Sequence, residues 1–239
     1  KNLLYIFLLS YFLIDLIANY LNIRSINYNI PKEFLAFYDD EKYKKSQQYL
    51  ITNTRFSLVS SLFSLVVLFV LFETNLFNTL DLFVRGLSSN MIVSGLYFYS
   101  IYFLFNTIIT LPFSLYKTFS IETKYGFNTT TISTFFLDQI KSLFLMAIFG
   151  LPLLALVLWF FQSVSSMAWI YIWITVSLFQ LLMLFLFPSF IMPLFNKFIP
   201  LQNQSLKERI FSFAKQVDFP VKDIFEMDGS KRSKKSNAF

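Results

Sequence analysis

Cysteine and histidine are both absent from the 239 residues of this chain, and charged residues make up only 14% of it. Without these two residue types the sequence has no disulfide, no thiol nucleophile, no serine–histidine pair and no histidine ligand for zinc. Soluble domains carry roughly 25% charged residues, so the low charge also argues against a free-standing globular protein. A function that requires histidine therefore cannot be completed by these residues alone.

Apolar side chains are abundant instead, at 56% of the residues, and phenylalanine alone occurs 33 times. They form five blocks near the length, roughly 20 residues, that a helix needs to cross the hydrocarbon of a bilayer. The sequence therefore predicts an integral, multi-pass membrane protein whose residues 1–194 form an all-α bundle of about five transmembrane helices. The predicted spans are residues 3–21, 56–72, 91–115, 139–161 and 168–194.

Lysine and arginine are distributed unevenly over the loops that these spans define. Eighteen of the 20 basic residues fall on one side of the membrane, and only Lys1 and Arg85 fall on the other. Because basic residues are retained on the cytoplasmic side, the N-terminus is predicted to be outside or lumenal and the tail after the fifth span cytoplasmic. Orientation and contact with anionic membrane lipids then explain the net charge of +6, and no nucleic-acid partner is expected.

Residues 195–239 have the composition of a soluble domain and are predicted to begin a cytosolic α+β domain. A capping box formed by Ser205 and Glu208 predicts the start of a helix. Residues 221–227 alternate as a strand does, and residues 236–239 resemble the start of a second strand. The chain begins with lysine and stops within that strand, so we expect it to be a piece of a longer protein.

Asp15 and Asn19 are four positions apart in the first predicted span and so share one face of that helix. An ionised aspartate in mid-span costs about 2.5–3.5 kcal/mol on insertion scales, so its side chain should face the bundle interior or water. The pair is therefore a candidate for lining a wet internal chamber. The alternative is an aspartate that hydrogen-bonds a neighbouring helix or lies close to one interface.

The loop between the third and fourth predicted spans, residues 116–138, carries the carboxylates Glu122 and Asp138. Gly126 is a natural C-terminal cap, and the residues from Asn128 onward offer N-caps for the next helix. Taken alone, these features favour an ordinary structured loop over a catalytic one.

Several motifs resemble those of one family when they are taken in chain order. They are Tyr43-x-Lys45-Ser46-x-x-Tyr49, Ile121-Glu-Thr-Lys-Tyr-Gly-Phe-Asn128, Pro193-Leu-Phe-Asn-Lys-Phe-Ile-Pro200-Leu, Ala214-Lys-Gln-Val-Asp-Phe-Pro220, Met227-Asp-Gly-Ser-Lys-Arg-Ser233 and Ser236-Asn-Ala-Phe239. In combination they are similar to the type I CAAX prenyl endopeptidases, which are integral membrane zinc metalloproteases. The resemblance covers essentially the whole chain.

The resemblance implies a ring of helices around a water-filled chamber, with zinc held by an HExxH helix and a downstream glutamate. The two histidines of such a helix lie on one face, and its glutamate can take a proton from zinc-bound water. That helix would follow shortly after Phe239. We therefore expect an intact enzyme that removes the C-terminal tripeptide of prenylated proteins, and a chain that alone binds no catalytic zinc and is inactive.

The resemblance also assigns substrate binding to Asn237 and Ala238, because an Asn-Ala-aromatic edge strand pairs with extended peptide in zinc proteases of this broad class. The alternative is an interior strand of the domain. One departure is Lys235, where the family commonly has histidine. The implied partner is a peptide or a prenylated CAAX protein.

A non-enzymatic function is the alternative: a multi-pass scaffold, chaperone or transporter subunit that keeps the fold without the chemistry. A transporter would show inverted repeats or paired broken helices, and neither is visible in the sequence.

Overall fold

A computed structural model describes residues 2–35 and 39–235 of the chain. The chain divides into two compact units, residues 1–128 and residues 129–239, which are described separately below. The boundary predicted between residues 194 and 195 separates membrane from cytosol, whereas these two units are distinguished by their compactness. The predicted boundary therefore stays a prediction.

The described residues of the first unit form four α-helices and a short 3₁₀ turn at Lys32–Phe34. The helices are α1 (Asn2–Arg24), α2 (Asp40–Glu73), α3 (Leu76–Leu87) and α4 (Met91–Tyr116), and α4 continues through a π-helical turn at Lys117–Glu122.

Residues 129–235, the described part of the second unit, form five α-helices and two short strands. They are α5 (Ile132–Leu145), α6 (Leu151–Ser163), α7 (Ala168–Leu186), α8 (Met192–Phe195), β1 (Phe198–Pro200), α9 (Gln204–Gln216) and β2 (Phe225–Met227). Single π-helical turns, Met146–Gly150 and Phe187–Ile191, join α5 to α6 and α7 to α8, so each pair runs as one continuous helix.

Five continuous helices of the described part are long and apolar enough to cross a membrane, which confirms the predicted number of spans. They are Asn2–Arg24, Asp40–Glu73, Met91–Glu122, Ile132–Ser163 and Ala168–Phe195, and each contains one predicted span. The second has 34 residues. At 1.5 Å per residue its length is about 51 Å, so it extends well beyond about 30 Å of hydrocarbon.

The sequence does not predict helix α3: twelve residues are too few to span a bilayer, so hydropathy predicts a loop between the second and third spans. Its apolar residues nevertheless follow helical spacing. Val84 is completely buried, and the Phe77 ring lies 5.7 Å from the Tyr102 ring of α4. Asn90 then begins α4 by accepting hydrogen bonds from the amides of Ile92 and Val93. Helices α3 and α4 thus form a hairpin.

The tail of the second unit pairs β1 with β2 in antiparallel fashion, with Ile199 opposite Glu226. The predicted cap at Ser205 is wrong: Asn203 is the N-cap of α9, and its Oδ1 accepts from the Leu206 amide at 3.0 Å. Asparagine competes with serine for this position on nearly equal terms, so the residue whose backbone already bends away from the helix becomes the cap.

Candidate functional site

Two clusters of side chains, one in each unit, contain residues of the motifs described above. The first, called the α2–α4 cluster, comprises Tyr49, Thr52, Glu122, Tyr125 and Phe127. The second, called the Arg232 clamp, comprises Asp138, Asn196 and Arg232.

Polar contacts hold α2 to the end of α4 in the first cluster. The Tyr49 hydroxyl donates to Glu122 Oε1 at 2.5 Å, and the Tyr125 hydroxyl donates to the Gln48 carbonyl at 3.1 Å. Thr52 Oγ1 lies 2.7 Å from Tyr125 Oη. All three contacts join residues more than 70 positions apart, so they fix one membrane-spanning helix against another.

A tight turn at Gly126 completes this cluster. Gly126 has a φ of 82°, in the left-handed region that glycine adopts without a Cβ penalty. The Phe127 amide donates to the Glu122 carbonyl at 2.8 Å, and the Phe127 ring meets the Tyr49 ring edge-on with centroids 4.9 Å apart. Ile121 beneath the turn is only 4% exposed. The geometry supports the structured-loop interpretation of this motif, because its carboxylate is bonded within the fold.

The guanidinium of Arg232 joins two elements of the second unit. Its Nε and Nη2 donate to the two carboxylate oxygens of Asp138 on α5, at 2.6 and 2.9 Å. Its Nη1 donates to Asn196 Oδ1, directly after α8, at 2.9 Å. The fork of guanidinium N–H groups matches a carboxylate in two places at once, which gives the pair a fixed geometry as well as attraction.

The ion pair of the clamp is largely shielded, since the side chains of Arg232 and Asp138 are each 23% exposed. Hydrogen bonding to Asp138 raises the pKa of Arg232 above its ordinary value, against the smaller, opposing effect of desolvation. Arg232 is therefore charged at any physiological pH.

Two threonines before α5 also bind the chain around Arg232. Thr129 Oγ1 donates to the Ser230 carbonyl at 2.6 Å, and Thr130 Oγ1 donates to the Arg232 carbonyl at 2.9 Å. The Arg232 side chain and the backbone carbonyls of Ser230 and Arg232 thus both hold the tail to the beginning of the fourth membrane helix.

Asp15 and Asn19, the predicted chamber-lining residues, do share a face of α1. Asn19 Nδ2 donates to Asp15 Oδ1 and to the Asp15 carbonyl, both at 2.9 Å. Both residues are half-buried. That they line a chamber stays a prediction.

Asn237 and Ala238, the predicted substrate-binding residues, lie outside the described residues. The described chain ends two residues earlier at Lys235, whose amide donates to Ser233 Oγ at 3.1 Å. The structure therefore gives the approach to the predicted substrate strand and leaves its function as a prediction.

Zinc, which the resemblance implies, does not fit the residues that the structure describes. Within residues 2–35 and 39–235, no group of three or more possible ligand side chains is arranged to hold a metal ion. We accordingly assign no chemical step to a metal in this part of the chain.

Sequence reasoning missed the pairing of Asp138 with Arg232. The two residues are 94 positions apart, so no local spacing connects them. The sequence offered two signals. Arg232 lies within the motif 227–233, and Asp138 is an acidic residue directly before the fourth predicted span.

Comparison with known proteins gives consistent matches. A family model described as the CAAX prenyl protease N-terminal region, with five membrane helices, matches residues 19–197. The chain is 36% identical to CAAX prenyl protease 1 of Saccharomyces cerevisiae, over 84% of this chain and 47% of that protein. It is 35% identical to a CAAX prenyl protease 1 homologue of Arabidopsis thaliana, over 88% of this chain and 51% of that protein.

A solved structure matches as well. The crystal structure of S. mikatae Ste24p aligns with a TM-score of 0.88 at 33% identity, and the alignment covers 98% of this chain and 57% of that one. The chain thus spans about half the length of the curated relatives it matches.

Proposed function

Because this chain belongs to the family of CAAX prenyl protease N-terminal regions, we propose that it is the membrane portion of an endopeptidase that cleaves the C-terminal tripeptide from prenylated proteins. The observation that carries the proposal is the alignment with Ste24p, which covers 98% of this chain at 33% identity. A match of that extent favours the protease region over a non-catalytic scaffold, chaperone or transporter subunit.

The catalytic zinc belongs, in this proposal, to residues beyond the present chain. The relatives are about twice as long as the matched region, which leaves room for an HExxH helix and a downstream glutamate. The tail from residue 195 would begin the cytosolic α+β domain that carries them. Its described elements are β1, α9 and β2, which suit the opening of such a domain.

Orientation follows from the basic residues in the proposal. The tail and the two long polar loops face the cytoplasm, where prenylated substrates and anionic lipids are found, and the N-terminus is outside or lumenal. Asn237 and Ala238 would then present a strand edge to an extended substrate from the cytoplasmic side.

Because the chain contains no histidine, and so no HExxH helix, we expect the purified 239-residue chain to hydrolyse no peptide. The measurement is cleavage of a fluorogenic farnesylated CAAX peptide, with and without a chelator, beside the full-length product of the same gene. Chelator-sensitive turnover by the chain alone would contradict the prediction. A coding sequence with no HExxH downstream of Phe239 would contradict the proposed function itself.

Asp15 and Asn19 are proposed to line the chamber, and the depth of Asp15 supports this. Tyr5 bonds Glu73 at one end of α1, and Arg24 ends the helix at the other. At 1.5 Å per residue, Asp15 is about 15 Å along the helix from Tyr5 and about 14 Å from Arg24, near the middle of the bilayer. An aspartate at that depth is expected to face water or a polar partner.

Because the chain has no native cysteine, a single introduced cysteine can test by thiol labelling whether position 15 faces water. Asp15→Cys is expected to react with a membrane-impermeant thiol reagent in the folded protein, because the reagent enters with the water of the chamber. Ile17→Cys, on the opposite side of the helix, is the matched control and should be protected by lipid. Equal protection of both positions would remove Asp15 from the chamber wall.

A further inference from the structure

We propose that Arg232 is a positioning residue, which locks the chain leading to Asn237 and Ala238 onto the beginning of the fourth membrane helix. The inference deepens the proposed function and rests on it, because it concerns the strand that would hold the substrate. Arg232 itself does not touch the substrate in this proposal. It acts by setting where the strand lies.

The clamp holds the Arg232 guanidinium through three hydrogen bonds to two residues. Two donors of Arg232 use both oxygens of Asp138, and a third reaches Asn196. A guanidinium held in this way cannot slide along α5 without losing at least one bond, because its donors are fixed in a plane. Lysine, with a single ammonium on a flexible stem, retains the charge but not the fork.

The backbone on the N-terminal side of Arg232 is anchored as well. Asp228 Oδ1 accepts from the Lys197 amide at 2.7 Å, and the Asp228 amide donates to the Lys197 carbonyl at 3.1 Å. The threonine bonds to the carbonyls of Ser230 and Arg232 lie between these contacts and the guanidinium. Residues 228–232 are therefore held at several points along their length.

The predicted substrate strand is only a short distance along the chain from Arg232. Asn237 follows Arg232 by five positions, so it lies within about 17 Å of it along an extended chain. Strand addition requires a fixed register, because a slip of one residue turns every side chain to the opposite face. The contacts of Arg232 hold residues 228–232 to the beginning of the fourth membrane helix. In this proposal they give the chain leading to Asn237 the fixed starting point that strand addition requires.

The first test is independent of any enzymatic activity. Hydrogen–deuterium exchange of residues 228–235 is measured on the 239-residue chain in lipid nanodiscs. Arg232→Lys and Asp138→Asn should each accelerate exchange at least tenfold, because each removes the two-point contact. Arg209→Lys, an exposed arginine on α9, is the matched control and should leave exchange within twofold of the unmodified chain. Unchanged exchange in both clamp variants would overturn the lock.

A charge exchange separates the ion pair from general damage to the fold. The double variant Asp138→Arg with Arg232→Asp restores opposite charges at the two sites, and it should recover most of the protection that Arg232→Asp alone removes. Failure of the double variant to protect better than either single variant would contradict a specific pairing.

The second test uses the full-length enzyme and a farnesylated CAAX peptide. Arg232→Lys should raise KM at least fivefold and change kcat less than twofold, because a displaced strand weakens binding of substrate and transition state alike. Faster exchange at residues 228–235 with an unchanged KM would overturn the positioning role. Absence of peptidase activity in the unmodified full-length protein would instead overturn the proposed function, and the exchange result would still decide whether the lock exists.

Discussion

Replacing Val84 with asparagine is expected to open the α3–α4 hairpin about a hundredfold more often. Val84 is the one large hydrophobic side chain with 0% exposure among the described residues, so asparagine there would bury a polar amide in place of an alkyl group. The loss of apolar burial and the unpaired amide together cost about 3 kcal/mol. Each 1.4 kcal/mol is a factor of ten in an equilibrium, which gives the expected population of the open form.

Trypsin reports this opening directly, because Arg85 lies beside Val84 within α3. Cleavage after Arg85 requires local unfolding of the helix, so its rate tracks the open population when opening is fast. Leu82→Asn is the matched control on the same helix, since Leu82 is 63% exposed. If Leu82→Asn accelerates cleavage as much as Val84→Asn, then exposure within α3 does not govern the stability of the hairpin.

The hairpin also shows where the sequence sufficed and where it did not. Hydropathy is a property of about twenty neighbouring residues, so five spans were predictable, and the part of the chain that the structure describes contains five. Helix α3 has the same apolar spacing as any amphipathic helix but only twelve residues, and a search by span length passes over it. Its burial depends on Phe77 meeting rings of α4, a tertiary contact that no window of the sequence contains.

The α2–α4 cluster and the Arg232 clamp likewise depend on contacts between residues that are far apart in the sequence. Glu122 belonged to a motif that stands out in the sequence, yet its partner Tyr49 is 73 positions away and belongs to a different motif. The sequence therefore indicated that both segments matter and could not say that they touch. For Arg232 and Asp138 the separation is 94 positions, and only one of the two lay within a motif. A motif can be identified from neighbouring residues in the sequence, whereas a contact between distant motifs is visible only in the folded structure.

Removing the hydroxyl of Tyr49 is expected to destabilise the α2–α4 cluster strongly. Tyr49→Phe keeps the ring that packs edge-on against Phe127 and loses the hydrogen bond to Glu122. A hydrogen bond to a carboxylate contributes about 1.5–3 kcal/mol, so opening of residues 117–128 should become roughly ten to a hundred times more frequent. Hydrogen–deuterium exchange of that segment in lipid nanodiscs measures the change.

A double-mutant cycle assigns the effect to the pair. Glu122→Gln leaves an amide oxygen that still accepts, but the bond loses the strength that comes from a charged acceptor. If Tyr49 and Glu122 act on each other, the double variant should be less destabilised than the two single variants predict together, by at least about 0.5 kcal/mol. Tyr28→Phe is the control at an exposed tyrosine, and its effect should stay within about 0.5 kcal/mol.

The result also bears on what the loop does. Additive effects of Tyr49→Phe and Glu122→Gln would mean that the Glu122 carboxylate acts elsewhere, which would reopen a role for it outside the fold. Coupled effects would account for the glutamate of the 121–128 motif by packing alone: it ties α2 to α4 at the turn where the first unit ends. On that account, loss of Glu122 in the proposed full-length enzyme lowers the amount of folded protein and leaves the KM of the folded fraction unchanged. This is the opposite of the pattern expected for Arg232, so the two motif residues are distinguished by one pair of kinetic measurements.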